Sequence, residues 1–275
     1  MVSETTPTLA LLIDGDNASP KIVTGLLAEI ANYGVASVKR IYGDWTGPNL
    51  KGWKECLLEH SIQPVQQFAY TTGKNATDGA MIIDAMDLLY TGRFSGFCIV
   101  SSDSDFARLA ARLREQGVTV YGFGERKTPR PFITACDKFV YFDVLNNTSA
   151  ADAEAATAIE PKSRKQVAAT EVVPPVAKPA EEKPALDRAA LDMLKKAVIA
   201  TADEDGRAHL GRVGGHLAKQ APDFDARNYG FARLSDLAEA SGILDVGRDA
   251  DHPKVVMVKL KTAHAGQRKG KTTDE

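Results

Sequence analysis

Between Leu9 and about Leu145, short apolar runs alternate with amphipathic stretches, and no other feature restricts the fold of this chain as much. The runs are Leu9 to Ile13, Ser37 to Tyr42, Ile62 to Phe68, Gly96 to Val100, Val118 to Phe123 and Lys138 to Phe142. Strands interleaved with helices predict an α/β domain with right-handed crossovers and a parallel sheet covered on both faces. The helical stretches carry their own start signals. Ser19-Pro20 offers an N-cap followed by proline at the first helical position, and Thr77 can cap Asp78 to Tyr90. Asp103 can cap Ser104 to Gln116, which stops at Gly117.

Aspartates stand where the apolar runs break off. Asp14 follows Leu9 to Ile13, Asp103 follows Val100 and two serines, and Asp78 opens a helical stretch. In an open parallel sheet, ligands bind outside the carboxyl ends of the strands, near the switch in strand order. Two carboxylates about 4 Å apart repel by roughly 4 kcal/mol at an effective dielectric near 20, so a cluster of them titrates upward or takes a cation. A hard-cation site is therefore the leading expectation. A lone Asp between strand and helix is more often a cap. That explanation weakens for Asp14-Gly15-Asp16-Asn17 and Ser101-Ser102-Asp103-Ser104-Asp105, since one cap per helix uses one acid. Asp84 lies about 120° around a helix from Asp78 and is secondary, with Asp87 further along.

Composition sets limits on partners and compartment. With 275 residues the chain has room for one or two cores, and a net charge of -2 excludes wholesale electrostatic coating of nucleic acid. Any nucleic-acid surface must be local. Cys56, Cys98 and Cys136 form neither a disulfide framework nor a zinc or redox spacing, which points to a reducing cytoplasm. The histidines show no His-Glu-x-x-His spacing, and no apolar stretch approaches the ~20 residues of a membrane span.

Residues 146–185 are rich in Ala, Glu, Lys, Pro and Val and are expected to be a linker, since they lack the apolar content for a core. Beyond them apolar periodicity returns. Leu191, Leu194 and Val198 fit one helix, Val213 and Leu217 a second, and Phe231, Leu234 and Leu237 a third. Ile243 to Val246 and Val255 to Leu260 then read as a two-stranded hairpin, so residues 186–262 are expected to form a small winged-helix domain. Residues 263–275 are expected to be a disordered basic tail.

The stretches Leu12-Ile13-Asp14-Gly15-Asp16-Asn17, Lys74-Asn75-Ala76-Thr77-Asp78 and Val100-Ser101-Ser102-Asp103-Ser104-Asp105-Phe106 resemble the NYN domain family, in its bacterial LabA-like branch related to PIN-type nucleases. The resemblance covers about residues 8–145 within a first domain taken as 1–145. It implies a PIN-like three-layer α/β/α fold and a metal-dependent ribonuclease. Asp14, Asp78 and Asp103 would be metal-binding carboxylates, Asp105 a fourth acid, and Asn17 would position the site or substrate. The chain departs from the pattern at Ser102, where many relatives have Gly. The later segment Asn228-Tyr229-Gly230-Phe231-Ala232-Arg233-Leu234-Ser235-Asp236-Leu237 resembles the LOTUS (OST-HTH) family, which implies a winged helix that binds RNA or a protein partner.

The chemistry of Mg²⁺ or Mn²⁺ agrees with that resemblance, because Mg²⁺ prefers oxygen ligands and is held by a few carboxylates plus substrate phosphate. Lys74, Arg126, Lys127 and Arg130 are candidate phosphate contacts, and Tyr42, Trp45 and Tyr70 candidate stacking platforms. In the second domain the candidates are Arg212, Lys219, Arg227 and Arg233. The expected function is a cytoplasmic, metal-dependent endoribonuclease with a C-terminal RNA- or partner-binding module. The alternatives are a non-catalytic RNA-binding regulator and a haloacid-dehalogenase-type phosphatase, suggested by Asp14-Gly15-Asp16. The second ranks low because Asn17-Ala18 stands where that class expects other residues.

Overall fold

The structure is a computed structural model that describes residues 6–68, 76–145, 186–249, 252 and 254–261. The chain divides into two compact units. The expected linker 146–185 and basic tail 263–275 lie outside the described residues.

The first unit is built on a six-stranded sheet, β1 (Thr8–Asp14), β2 (Val35–Gly43), β3 (Gln63–Gln66), β4 (Gly96–Val100), β5 (Thr119–Gly124) and β6 (Lys138–Tyr141). The spatial order is β3-β2-β1-β4-β5-β6, with every neighbouring pair parallel. Strands β1 and β4 form its centre. Leu9 to Ile13 and all of β4 are buried, which explains why these two segments show no alternation. The chain runs outward from β1 through β2 to β3, then returns to β4 beside β1 and continues through β5 to β6. The strand order therefore reverses between β1 and β4, and the crevice beyond their carboxyl ends is the position where such sheets bind ligands.

The helices follow their local signals with small shifts. Ser19 accepts the Lys21 N–H, Pro20 opens a 3-10 turn (Pro20–Ile22), and α1 (Val23–Ala31) continues from it. A short α2 (Lys51–Lys54) precedes β3, and α3 (Ala76–Tyr90) precedes β4. Helix α4 (Phe106–Glu115) buries Phe106, Leu109, Ala110 and Leu113, one face at helical spacing, and stops before Gly117, whose φ of 80° suits a left-handed end. A short α5 (Arg130–Ala135) precedes β6. The capping expectations for Thr77 and Asp103 do not hold. Helix α3 begins before Thr77, whose hydroxyl donates to Asp16. Asp105, not Asp103, occupies the position ahead of α4.

The second unit holds α6 (Arg188–Thr201), β7 (Arg207–His209), α7 (Leu210–Gln220), a 3-10 turn (Ala226–Tyr229), α8 (Leu234–Ala240), β8 (Leu244–Arg248) and β9 (Val256–Leu260). Its sheet has three strands in the order β7-β9-β8, all antiparallel, where the sequence suggested two. Strand β7 buries only Ala208, so it leaves no apolar pattern to read. Phe231 also falls outside the third helix. Gly230 takes a left-handed φ of 82° after the 3-10 turn, and the helix proper starts at Leu234.

Candidate metal centre

Asp14 is the last residue of β1 and is fully buried. Its Oδ2 accepts from Asn17 Nδ2 at 2.7 Å and from Ser101 Oγ at 2.8 Å, and its Oδ1 accepts the Asp16 N–H at 3.1 Å. Burial pushes the Asp14 carboxyl above its ordinary value, although these donors oppose the shift. The turn that makes this possible needs Gly15, because a Cβ there would stand 2.8 Å from the carbonyl oxygen of Tyr42.

Beyond β4, Ser101 joins two acids. Its hydroxyl donates to Asp14 and accepts the Asp103 N–H at 3.1 Å. Asp103 Oδ1 in turn accepts the Asp105 N–H at 2.9 Å, a local turn that sets both carboxylates ahead of α4. Asp105 makes no side-chain capping hydrogen bond to the helix, so capping does not account for it. Asp78 arrives from the first turn of α3 and is buried. Burial first, then the charges of Asp14, Asp103, Asp105 and Asp16, push its carboxyl up to about 6.

Asp78, Asp103 and Asp105 each offer a carboxylate oxygen within 4.8 Å of the other two. Asp14 is not in that group, yet it is the largest charge acting on Asp78. Its Oδ1 carries one hydrogen bond and so keeps acceptor capacity. An all-carboxylate oxygen set fits a hard divalent cation such as Mg²⁺ or Mn²⁺ and does not fit a thiophilic one. Like charges held this close favour either protonation or a cation, and at Asp78 they add to burial in raising the carboxyl.

The other expected site residues are placed variously. Asn17 holds Asp14 through its amide. Tyr42 corrects the expectation of base stacking: it is fully buried, and its hydroxyl donates to Asp84, which also pairs with Arg40. That network accounts for Asp84 and takes it out of the acidic group. Trp45 is half-buried after β2, donating its indole N–H to the Val65 carbonyl at 3.2 Å. Arg126 pairs with Asp143 at 2.7 Å and lies over the Tyr141 ring at 4.2 Å, and Lys127 pairs with Glu125 at 2.9 Å. Arg130 is exposed at the first position of α5. Lys74 and Tyr70 lie outside the described residues.

Sequence reading overlooked the roles of Ser101 and Ser102. Ser102 is buried, and its hydroxyl accepts the Glu125 N–H at 2.9 Å, which ties the loop after β4 to the loop after β5. The only signal was two polar residues at the end of a wholly apolar strand, before an acid.

Comparison with known proteins gives the site its context. Residues 8–146 match the NYN domain family and residues 181–256 the OST-HTH/LOTUS domain family. NYN domains are nuclease-like, and OST-HTH domains bind RNA. No curated protein matches the chain. Among solved structures, a protein of unknown function from Vibrio parahaemolyticus is similar at 18% identity and a TM-score of 0.43, over 51% of this chain and 96% of that one. An uncharacterized protein from Nitrosomonas europaea is similar at 26% identity and a TM-score of 0.28, over 36% of this chain and 97% of that one. With the NYN match spanning the sheet and every residue of the acidic group, the chain belongs to the NYN domain family and carries an OST-HTH/LOTUS domain after it.

Proposed function

We propose that the chain is a metal-dependent endoribonuclease whose first unit hydrolyses RNA phosphodiester bonds and whose second unit engages the RNA. One observation carries the reading: Asp78, Asp103 and Asp105, from α3 and from the loop after β4, converge within 4.8 Å beside the strand-order switch. Capping does not account for the convergence, because a cap acts on its own helix and Asp105 makes no side-chain capping hydrogen bond.

Asp78, Asp103 and Asp105 would hold Mg²⁺ or Mn²⁺, with Asp14 as a fourth acid through Oδ1. A bound ion would supply positive charge at the scissile phosphate and a water of lowered pKa. The chain supplies the rest. Asn17 and Ser101 fix the Asp14 carboxylate, Ser101 also fixes the backbone at Asp103, and Ser102 anchors that loop to its neighbour. Lys74, Arg126, Lys127 and Arg130 remain the proposed phosphate contacts. Arg126 and Lys127 are already paired at the surface, where such pairs are worth at most about 1 kcal/mol and exchange readily for phosphate. The cysteines are unpaired, which agrees with the proposed reducing cytoplasm. Among the described residues, no helix is long and apolar enough to cross a membrane.

The test is cleavage of structured and unstructured RNA by the full chain with Mg²⁺, Mn²⁺ or EDTA. Metal-dependent cleavage abolished by chelator is the expected result. RNA binding without cleavage under any metal would make the protein a regulator that retains an acidic pocket.

A further inference from the structure

The second unit contains an open recess of about 380 Å³ between the start of α7, the start of α8 and the beginning of β9. Leu210, Leu234 and Val256 contribute apolar wall, and the polar side chains around it are His209, Arg233, Ser235 and Lys254. No acid lines it among the described residues. Arg233 and Lys254 are exposed, and neither has an ion-pair partner among the described residues. His209 accepts the Gly211 N–H on Nδ1 at 3.0 Å, so the neutral ring carries its proton on Nε2 and offers a donor there.

We propose that this recess takes an unpaired nucleotide of single-stranded RNA, its base against the apolar wall and its flanking phosphates on Arg233 and Lys254. The inference rests on the second unit being the RNA-engaging module, and it names where and in what form RNA is held. Two features favour a splayed nucleotide over a duplex. A concave apolar wall receives a base face, which a base-paired helix does not present, whereas the two cations match the spaced charges of a backbone. The volume lies within the range of small-ligand pockets, roughly 300–1,000 Å³. Of the four cations that sequence suggested for this unit, only Arg233 lines the recess, and Arg227 is paired with Asp225 at 2.7 Å.

The test uses the full chain in EDTA, with fluorescence anisotropy of a labelled single-stranded RNA and of a duplex of equal length, across a salt series. The single strand is expected to bind more tightly. Arg233→Glu combined with Lys254→Glu is expected to weaken it at least tenfold and to lower the salt slope by about one to two. Both residues are exposed, so the double variant should fold; Ser235→Phe, which fills the recess, should weaken binding several-fold with the salt slope unchanged. Equal affinity for duplex and single strand, or parental RNA affinity in the double variant, would overturn the proposal. So would a double variant that keeps RNA affinity and loses binding to polyglutamate, since the recess would then be a site for acidic peptide. Cleavage at saturating RNA in Mg²⁺ is measured separately. An inactive parent that still binds single strands through the recess would defeat the ribonuclease reading alone.

Discussion

Ser101 donates to Asp14 Oδ2 at 2.8 Å while the same hydroxyl accepts the Asp103 N–H at 3.1 Å, so one small side chain joins the ends of the two central strands. Burial raises the Asp14 carboxyl above its ordinary value, and the Ser101 hydroxyl is among the donors that oppose the shift. The acidic group therefore depends on residues that bind no metal themselves.

Ser101→Ala should retain the fold at a cost of about 1–3 kcal/mol, because a buried carboxylate and a backbone N–H each lose a partner. Affinity for Mg²⁺ should fall about 10–100-fold, the usual effect of removing a group that orients a metal ligand. Calorimetric titration of Mg²⁺ into parent and variant reads this directly. Unchanged affinity would mean that Asp14 and Asp103 are positioned without Ser101.

Asp78 should make the metal-free protein less stable as pH rises. Its carboxyl is pushed up to about 6 in the folded chain, above the ordinary 3.8. Below about pH 4 both folded and unfolded chains hold the proton, and the folded state bears no cost. Between about pH 4 and 6 the unfolded chain ionises first, so stability falls by on the order of 1–3 kcal/mol and levels off above pH 6. Melting curves in EDTA across this range should show the decline, and Asp78→Asn should flatten it. Added Mg²⁺ should restore stability chiefly above pH 6.

Asp14→Asn and Asp103→Asn each remove one negative charge while preserving shape. Without metal the variants should be as stable as the parent or slightly more so, and they should gain less from Mg²⁺ or Mn²⁺. Cleavage should drop by orders of magnitude. If the two acids served only as caps, Asn would replace them well and neither quantity would move. Near-parental cleavage by folded Asp14→Asn would remove Asp14 from the site.

Tyr42→Phe separates burial from stacking. The phenol is buried and donates to Asp84, so its loss should cost about 1–3 kcal/mol of stability, with KM for RNA unchanged. A stacking platform would give the reverse, a raised KM with parental melting. Chemical denaturation beside steady-state cleavage distinguishes the two.

The sequence by itself determined the parts of this protein that local physics controls. Leu9 to Ile13 and Gly96 to Val100 are apolar without alternation, which only strands buried on both faces satisfy, and acids beyond their ends mark the carboxyl edge of the sheet. Ser19-Pro20 and Gly117 are likewise local, since proline fixes φ and glycine accepts the left-handed region. Tertiary structure decided the rest. Periodicity does not specify which strand lies beside which, so the approach of Asp78 to Asp103 and Asp105 came only from the crossover that seats α3 against β1, β2 and α4. Tyr42 fitted a stacking platform at the end of its apolar run because a strand's sequence does not say which face a helix will cover. Packing of α3 buried it, and Asp84 from that helix supplied the acceptor its hydroxyl needed. Strand β7 was illegible for a related reason. With only Ala208 buried, it is held by the hydrogen bonds of its partner β9, an interaction that leaves no mark on its own three residues.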